Sequence, residues 1–206
     1  MAISRRDIIA MLRHENEELK SRNKKLSARL IRHQQAFRAL NRMEDTMVGM
    51  RDQLDIKRLV TDLLVLALHA CDAENGTLLL IDEVTSELVF AEVIGDNRDQ
   101  LLGHRIGIDT GIVGHVVSTL EAMLVTDVRR SSKWSAEVDQ VIGFNTNALM
   151  CAPLFHNDKT FGAIEIVNNS NSEVFDDNDL AILKVTARFV SQALREAEDI
   201  TQTENK

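Results

Sequence analysis

The chain has 206 residues, 44% of them hydrophobic and 27% charged, with one proline, nine glycines and a formal net charge of −8. That composition excludes a disordered tail, a collagen and a membrane bundle. The longest apolar stretch, Leu63 to Leu68, ends at His69, well short of the roughly 18 residues a membrane span needs.

The first residues, Met1 to Asp7, carry no apolar core of a signal peptide. Charge divides the chain: residues 1–60 hold 14 Lys and Arg against 8 Asp and Glu, and residues 61–206 hold 10 against 24. A basic segment therefore precedes an acidic one, which implies two regions with different tasks.

Between residues 7 and 54 there is no proline, and a seven-residue repeat places Leu12, Leu19, Leu26, His33, Leu40, Met47 and Leu54 at one position. Three residues earlier stand Ile9, Asn16, Asn23, Leu30, Phe37, Glu44 and Arg51. These are d and a positions. Leucine at d with asparagine at two a positions predicts a parallel two-stranded coiled coil, because paired Asn side chains hydrogen-bond across a dimer. Glu15 at g and Lys20 at the following e add an attractive interchain pair. The 48 residues would form a rod of about 72 Å at ~1.5 Å per residue, and the seam weakens where Glu44 and Arg51 take a positions. Residues 1–54 thus read as a dimerisation helix and the protein as a homodimer.

Lys20, Arg22, Lys24, Lys25, Arg29, Arg32, Arg38 and Arg42 form a run with no acidic residue between its ends. A solvated helix surface explains the run better than a nucleic-acid contact, because the basic residues lie inside the heptads rather than before them.

From Asp55 the pattern changes to an apolar amphipathic helix through Leu59, Leu63, Leu64 and Ala70, capped by Asp55 and continuing the rod after a bend between Gly49 and Asp55. A hairpin follows, with strands at Thr77–Ile81 and Leu88–Ile94. Next come a polar loop from Gly95 to Gln100, a short run from His104 to Ile108, a helix opening at Thr110–Val117, and a strand at Ala122–Thr126. After a polar region from Asp127 to Asn147, a second hairpin pairs Ala148–Phe155 with Phe161–Val167. The last helix starts at the acidic cap Asp176 to Asp179 and carries Leu180, Leu183, Ala187, Val190 and Leu194 on one face. Residues 199–206 read as a polar tail. Two hairpins with helices at both ends make an α+β domain with an antiparallel sheet.

Gly111-Ile112-Val113-Gly114-His115-Val116, then Asp127, Asp139, Gly143-Phe144, Thr146, Cys151-Ala152-Pro153-Leu154, Gly162, Asn168, Phe175 and Asp179 form one long ordered series. This series resembles GAF domains, in particular those of cyclic-nucleotide phosphodiesterases and cyanobacterial adenylate cyclases, over residues 55–198. The resemblance implies a six-stranded antiparallel sheet flanked by helices, a small-molecule pocket and dimerisation through terminal helices. It also implies that Ile112 and Val113 contact a ligand phosphate, with Ser135, Asp139, Ile142 and Thr146 lining the purine and ribose side.

Gly111 and Gly114 flank a helix start, where backbone N–H groups approach an anion closely and the helix end carries partial positive charge. A cyclic nucleotide, cGMP or cAMP, suits that chemistry. Three departures weigh against it. Asn169 and Leu180 replace the lysine and glutamate of the nucleotide-binding signature, so its Lys-to-Asp ion pair has no lysine. Ile94 and Gly95 stand where a stacking aromatic and an acid are expected. Ile142 replaces a hydroxyl. Trp134, the one tryptophan, is either a lid over the pocket or a packing residue.

Cys71 and Cys151 lie in apolar runs without CxxC spacing, the pattern of reduced thiols in a cytoplasmic protein. The cysteine cluster of sulfoxide-reducing GAF enzymes, a bilin-attaching cysteine and a phosphate-cradling Gly-rich loop are all missing from the sequence. No metal site is expected. The sequence therefore predicts a non-catalytic dimeric sensor that binds a small molecule and relays the event through the coiled coil to a partner protein. The alternatives are a ligand-free scaffold and a nucleic-acid-associated regulator.

Overall fold

A computed structural model describes residues 5–49, 56–169 and 175–204. Six strands form one sheet in the order β3-β2-β1-β6-β5-β4, every neighbouring pair antiparallel. The strands are β1 (Ala73–Asp82), β2 (Glu87–Ile94), β3 (Arg105–Gly107), β4 (Met123–Val125), β5 (Leu149–His156) and β6 (Lys159–Asn169). Both predicted hairpins are present. In the first, Asp82 accepts hydrogen bonds from the backbone N–H groups of Val84 and Thr85, which shapes the turn. In the second, Asn157 takes the left-handed conformation (φ 55°) that a two-residue hairpin loop demands.

The centre of the sheet is buried on both faces, so β5 lacks the apolar-polar alternation of a half-exposed strand: Leu149 to Leu154 are all buried. One face carries Leu78, Met150, Leu154, Ile164 and Ile166, which pack with α2 (Ile56–Ala70) and α6 (Asp177–Glu204). Leu63, Leu64 and Leu183 lie fully inside this layer. The other face carries Leu79, Phe90, Leu149, Cys151 and Ala163. It is covered by shorter elements: α3 (Arg98–Leu101), α4 (Gly111–Thr119), a 3-10 turn at Val128–Arg130 and α5 (Glu137–Ile142). Cys71 and Cys151 are both buried and not disulfide-bonded.

α6 starts at the expected acidic cap. Asp176 N–H donates to Asp179 and Asp179 N–H donates back to Asp176, at 2.9 and 3.1 Å, a reciprocal box that satisfies N-terminal donors. The helix then runs to Glu204, through most of the segment read as a polar tail. Glu196 and Asp199 pair with Gln192 and Arg195 four residues earlier, contacts that help a polar end stay helical.

The N-terminal helix α1 spans Arg5–Gly49. Leu12, Leu19, Leu26, Leu30 and Phe37 of its repeat are exposed, whereas the side chains of Leu40, Glu44 and Met47, and Arg51, Leu54 and the Asp55 cap, lie outside the described residues. α1 does not lead straight into α2. It packs against α2, and Arg29 reaches Asp176 and Asp179 at the start of α6. Asp179 also meets Cys71, just past the C-terminal end of α2. Arg29 therefore lies beside the end of α2, while Gly49 connects through six residues to Ile56 at its start. The second half of α1 and α2 thus run in opposite directions, a helical hairpin where the sequence predicts α2 continuing the rod after a bend. The ion pair that places it there involves residues 150 positions apart.

Candidate functional site

On the face covered by short elements lies a cavity with about 100 Å³ of space open to the centre of a water molecule. Its floor is the sheet and its walls are α4, α5 and the loops beside them. Gly111, Ile112 and Val113, the first turn of α4, form one wall. The residue before the helix, Thr110, makes no side-chain capping bond, so its hydroxyl satisfies none of the first N–H groups of this nine-residue helix, which stand beside the cavity. Gly111 holds φ at 64°, a left-handed conformation suited to glycine, and a Cβ there would point at Ser135.

Gly114 is not part of the lining. A Cβ at Gly114 would stand 2.4 Å from the carbonyl carbon of Asp109 and 2.6 Å from the Ile108 oxygen. Its smallness lets α4 pack on the preceding chain, a packing role for this glycine beside the first turn that lines the cavity.

Ile94, Trp134, Ser135, Asp139 and Thr146 all line the cavity, together with Gly111, Ile112 and Val113. Ile142 lies in α5, and its side chain falls outside the described residues. Asp139 and Thr146, read separately from the sequence, pair with each other. Thr146 donates from its backbone N–H to one carboxylate oxygen at 2.7 Å and from its hydroxyl to the other at 2.9 Å. Asp139 therefore fixes the loop after α5, and each oxygen keeps one lone pair for another donor.

Asn168 extends that brace. It accepts from the backbone N–H groups of Asn147 and Ala148 and donates to the Asn145 carbonyl, while its own φ of 46° turns the end of β6 toward the loop. Asp127 caps the 3-10 turn by accepting from Arg129, whose side chain also holds the Asp127 carboxyl below its usual range.

Two polar residues on the floor escaped the sequence reading. Thr77 and Glu165 are register partners on β1 and β6, and Glu165 is in turn the partner of Cys151 on β5. The Thr77 hydroxyl is buried without a hydrogen-bond partner among the described residues. Burial raises the Glu165 carboxyl to about 7; a hydrogen bond from Cys151 opposes this and the negative charge of Asp139 adds to it. The Cys151 thiol is pushed well up by burial and then by Glu165, so it is held as the neutral, weakly nucleophilic form. The signal for Glu165 was present: it is the one charged residue inside the apolar run Phe161–Val167. Phe90, Phe144 and Trp134 supply aromatic surface, and no lysine, arginine or histidine lines the cavity among the described residues.

Comparison with known proteins identifies this arrangement. The description "GAF domain" matches residues 55–194. The chain belongs to the GAF domain family. Its relatives include the cone cGMP-specific 3',5'-cyclic phosphodiesterase subunit alpha' of Mus musculus, 28% identical over 133 residues. Another is the dual 3',5'-cyclic-AMP and -GMP phosphodiesterase 11 of Drosophila melanogaster, 28% identical over 95 residues. These matches cover 63% and 46% of the chain but only 15% and 6% of the relatives. The fold is that of the GAF domain from a phosphoenolpyruvate-protein phosphotransferase of Coxiella burnetii, with a TM-score of 0.67 at 16% identity, covering 84% of this chain and 96% of that one. It is also similar to free methionine-R-sulfoxide reductase from Neisseria meningitidis in complex with its substrate, with a TM-score of 0.64 at 17% identity, over 80% of this chain and 91% of that one. The six-stranded antiparallel sheet flanked by helices is thus the GAF fold the residues resembled. No helix among the described residues is long and apolar enough to cross a membrane, and no group of three or more metal-ligating side chains occurs among them.

Proposed function

We propose that this GAF protein is a non-catalytic cytoplasmic sensor that binds a small molecule in the cavity and signals through α1 to a partner protein. The observation that carries the reading is the cavity itself, a partly open space on one sheet face with no side-chain cap on the helix start at one side and the Thr77 hydroxyl, unpartnered among the described residues, on its floor. A buried polar group without a partner costs about 1–3 kcal/mol, and a bound ligand offsets that cost. cGMP and cAMP are the first ligands to assay, since similar proteins are named as cyclic-nucleotide phosphodiesterases and the first turn of α4 suits an anionic group.

The exposed leucines at seven-residue spacing support homodimerisation through α1, residues 1–54 being the dimerisation segment and 55–198 the sensor. Replacing Leu19 and Leu26 with Glu is expected to yield monomers in light scattering; unchanged dimers would remove α1 from the assembly.

Titration calorimetry and thermal melting with cGMP and cAMP test ligand binding. A ligand at 100 times its dissociation constant adds about 2.7 kcal/mol of stability. A rise in melting temperature that Trp134→Ala and Thr146→Val each weaken is the expected result. Absence of heat and of stabilisation at millimolar nucleotide would exclude both nucleotides and leave the scaffold reading ahead.

A further inference from the structure

Arg29 differs from the exposed residues around it on α1. The described residues before it, from Met11 to Ala28, are exposed, while Arg29 itself is partly buried. Its Nη2 lies 2.7 Å from Asp176 Oδ2 and 3.0 Å from Asp179 Oδ2. The Asp179 side chain is only 5% exposed, and its carboxylate also accepts the backbone N–H of Asp176. A buried carboxylate beside a second carboxylate needs a cation, and removing one partner of such a pair is strongly destabilising to the contact it holds. Arg29 of α1 supplies a cation, and the Coulomb attraction therefore fastens the N-terminal helix to the globule.

The heptad assigns Arg29 to a g position, next to Leu30 at a. In a two-stranded coil the g side chain flanks the seam and faces the partner helix. Here it faces Asp176 and Asp179 of its own chain, so docking on the globule and pairing with a second helix compete for the same residue. Leu30 and Phe37, both a positions, are left 59% and 65% exposed. A coil extended past Arg29 would bury them, so each arrangement satisfies groups that the other leaves unsatisfied.

We propose that Arg29 is a latch that sets how far α1 zips with a second copy of this chain. With the latch closed, the coil stops short of residue 29, where Leu12, Leu19 and Leu26 are exposed for a partner and Glu15 and Lys20 give the charge complementarity of a parallel pair. With the latch open, zipping continues through Leu30 and Phe37. The proposal rests on the homodimer reading and adds a two-state element to it.

The test uses the full chain with Leu19→Cys or Phe37→Cys, alone and combined with Arg29→Ala or Arg29→Lys, and follows interchain disulfide formation under diamide. Cys71 and Cys151 are buried and serve as the background. Leu19→Cys is expected to cross-link in every background. Phe37→Cys is expected to cross-link slowly in the native background, at least tenfold faster with Arg29→Ala, and slowly again with Arg29→Lys. Cross-linking of Phe37→Cys at the Leu19→Cys rate in the native background overturns the latch, as does an unchanged slow rate with Arg29→Ala. If Leu19→Cys fails to cross-link anywhere and light scattering gives a monomer, it is the dimer reading that has failed, and the proposal falls with it. Circular dichroism confirms that each variant is folded. Asp179→Asn, which keeps an acceptor for the Asp176 N–H and removes the charge, must reproduce the Arg29→Ala result.

Discussion

The two faces of the sheet are closed by different means. On one, two long helices lie against Leu78, Met150, Ile164 and Ile166, and the buried hydroxyls of Thr186 and Ser191 on α6 donate back to the helix's own carbonyls. On the other, helices of four, nine and six residues and their loops complete the cover, and polar groups such as Thr77, Glu165 and Asp139 remain among the apolar ones. Long helices bury a continuous stripe and leave little unfilled; short ones joined by loops enclose space. The first face supplies a packed core and the second holds the cavity.

The comparison breaks most sharply at Leu183. It is fully buried between α6 and the sheet, and Leu183→Ala is expected to cost about 2–5 kcal/mol. Denaturant unfolding measures this, and ligand affinity of the folded fraction should stay within twofold. Gly114→Ala acts on the other face. The added methyl meets backbone atoms of Ile108 and Asp109, so α4 must shift, at about 1–3 kcal/mol, and affinity for any cavity ligand should fall at least tenfold.

Glu165 sharpens the contrast through pH. Its folded-state value of about 7 lies above the ordinary 4.5, so the folded protein holds the proton more tightly than the unfolded chain. Its contribution is fully present below pH 4.5 and is lost as pH rises toward 7 and beyond. Glu165→Gln should remove this slope, raising stability at pH 8 relative to pH 4.5 by about 1–3 kcal/mol; an unchanged slope in melting curves would show that Glu165 does not carry it. The smallest change is expected of Thr77→Val. Losing an unpartnered hydroxyl leaves stability within about 1 kcal/mol or raises it, while ligand binding weakens. A loss of several kcal/mol would show that the hydroxyl is satisfied within the protein.

Much of this was legible in the chain, and what was not has physical causes. Both hairpins were marked by apolar runs around short polar turns, and the last helix by its acidic cap. β5 could be placed but not oriented, because burial on both faces erases the alternation that tells one face from the other. The cavity residues Asp139 and Thr146 were found through family resemblance. Their mutual hydrogen bonds were not, since a side-chain pair across seven residues depends on how the intervening turn closes. Thr77 and Glu165 were passed over as parts of apolar strands, although a lone carboxyl in such a run is a signal in itself. Arg29 was hidden differently. It stands in a run of like residues, and nothing local in the sequence marks an arginine that meets Asp179.

The strand order has a consequence for how the molecule forms. β1 and β6 are central neighbours in the sheet yet begin 86 residues apart in the chain, Ala73 against Lys159. The β1–β2–β3 half therefore waits with an open edge until the last strand is made, and the two halves join only by closing a long loop. Contacts of that span make folding slow, in the range of milliseconds to seconds. During synthesis, the inner edge of β1 stays unpaired until β6 has emerged, and that interval is when the chain is most open to strand-edge association with other molecules.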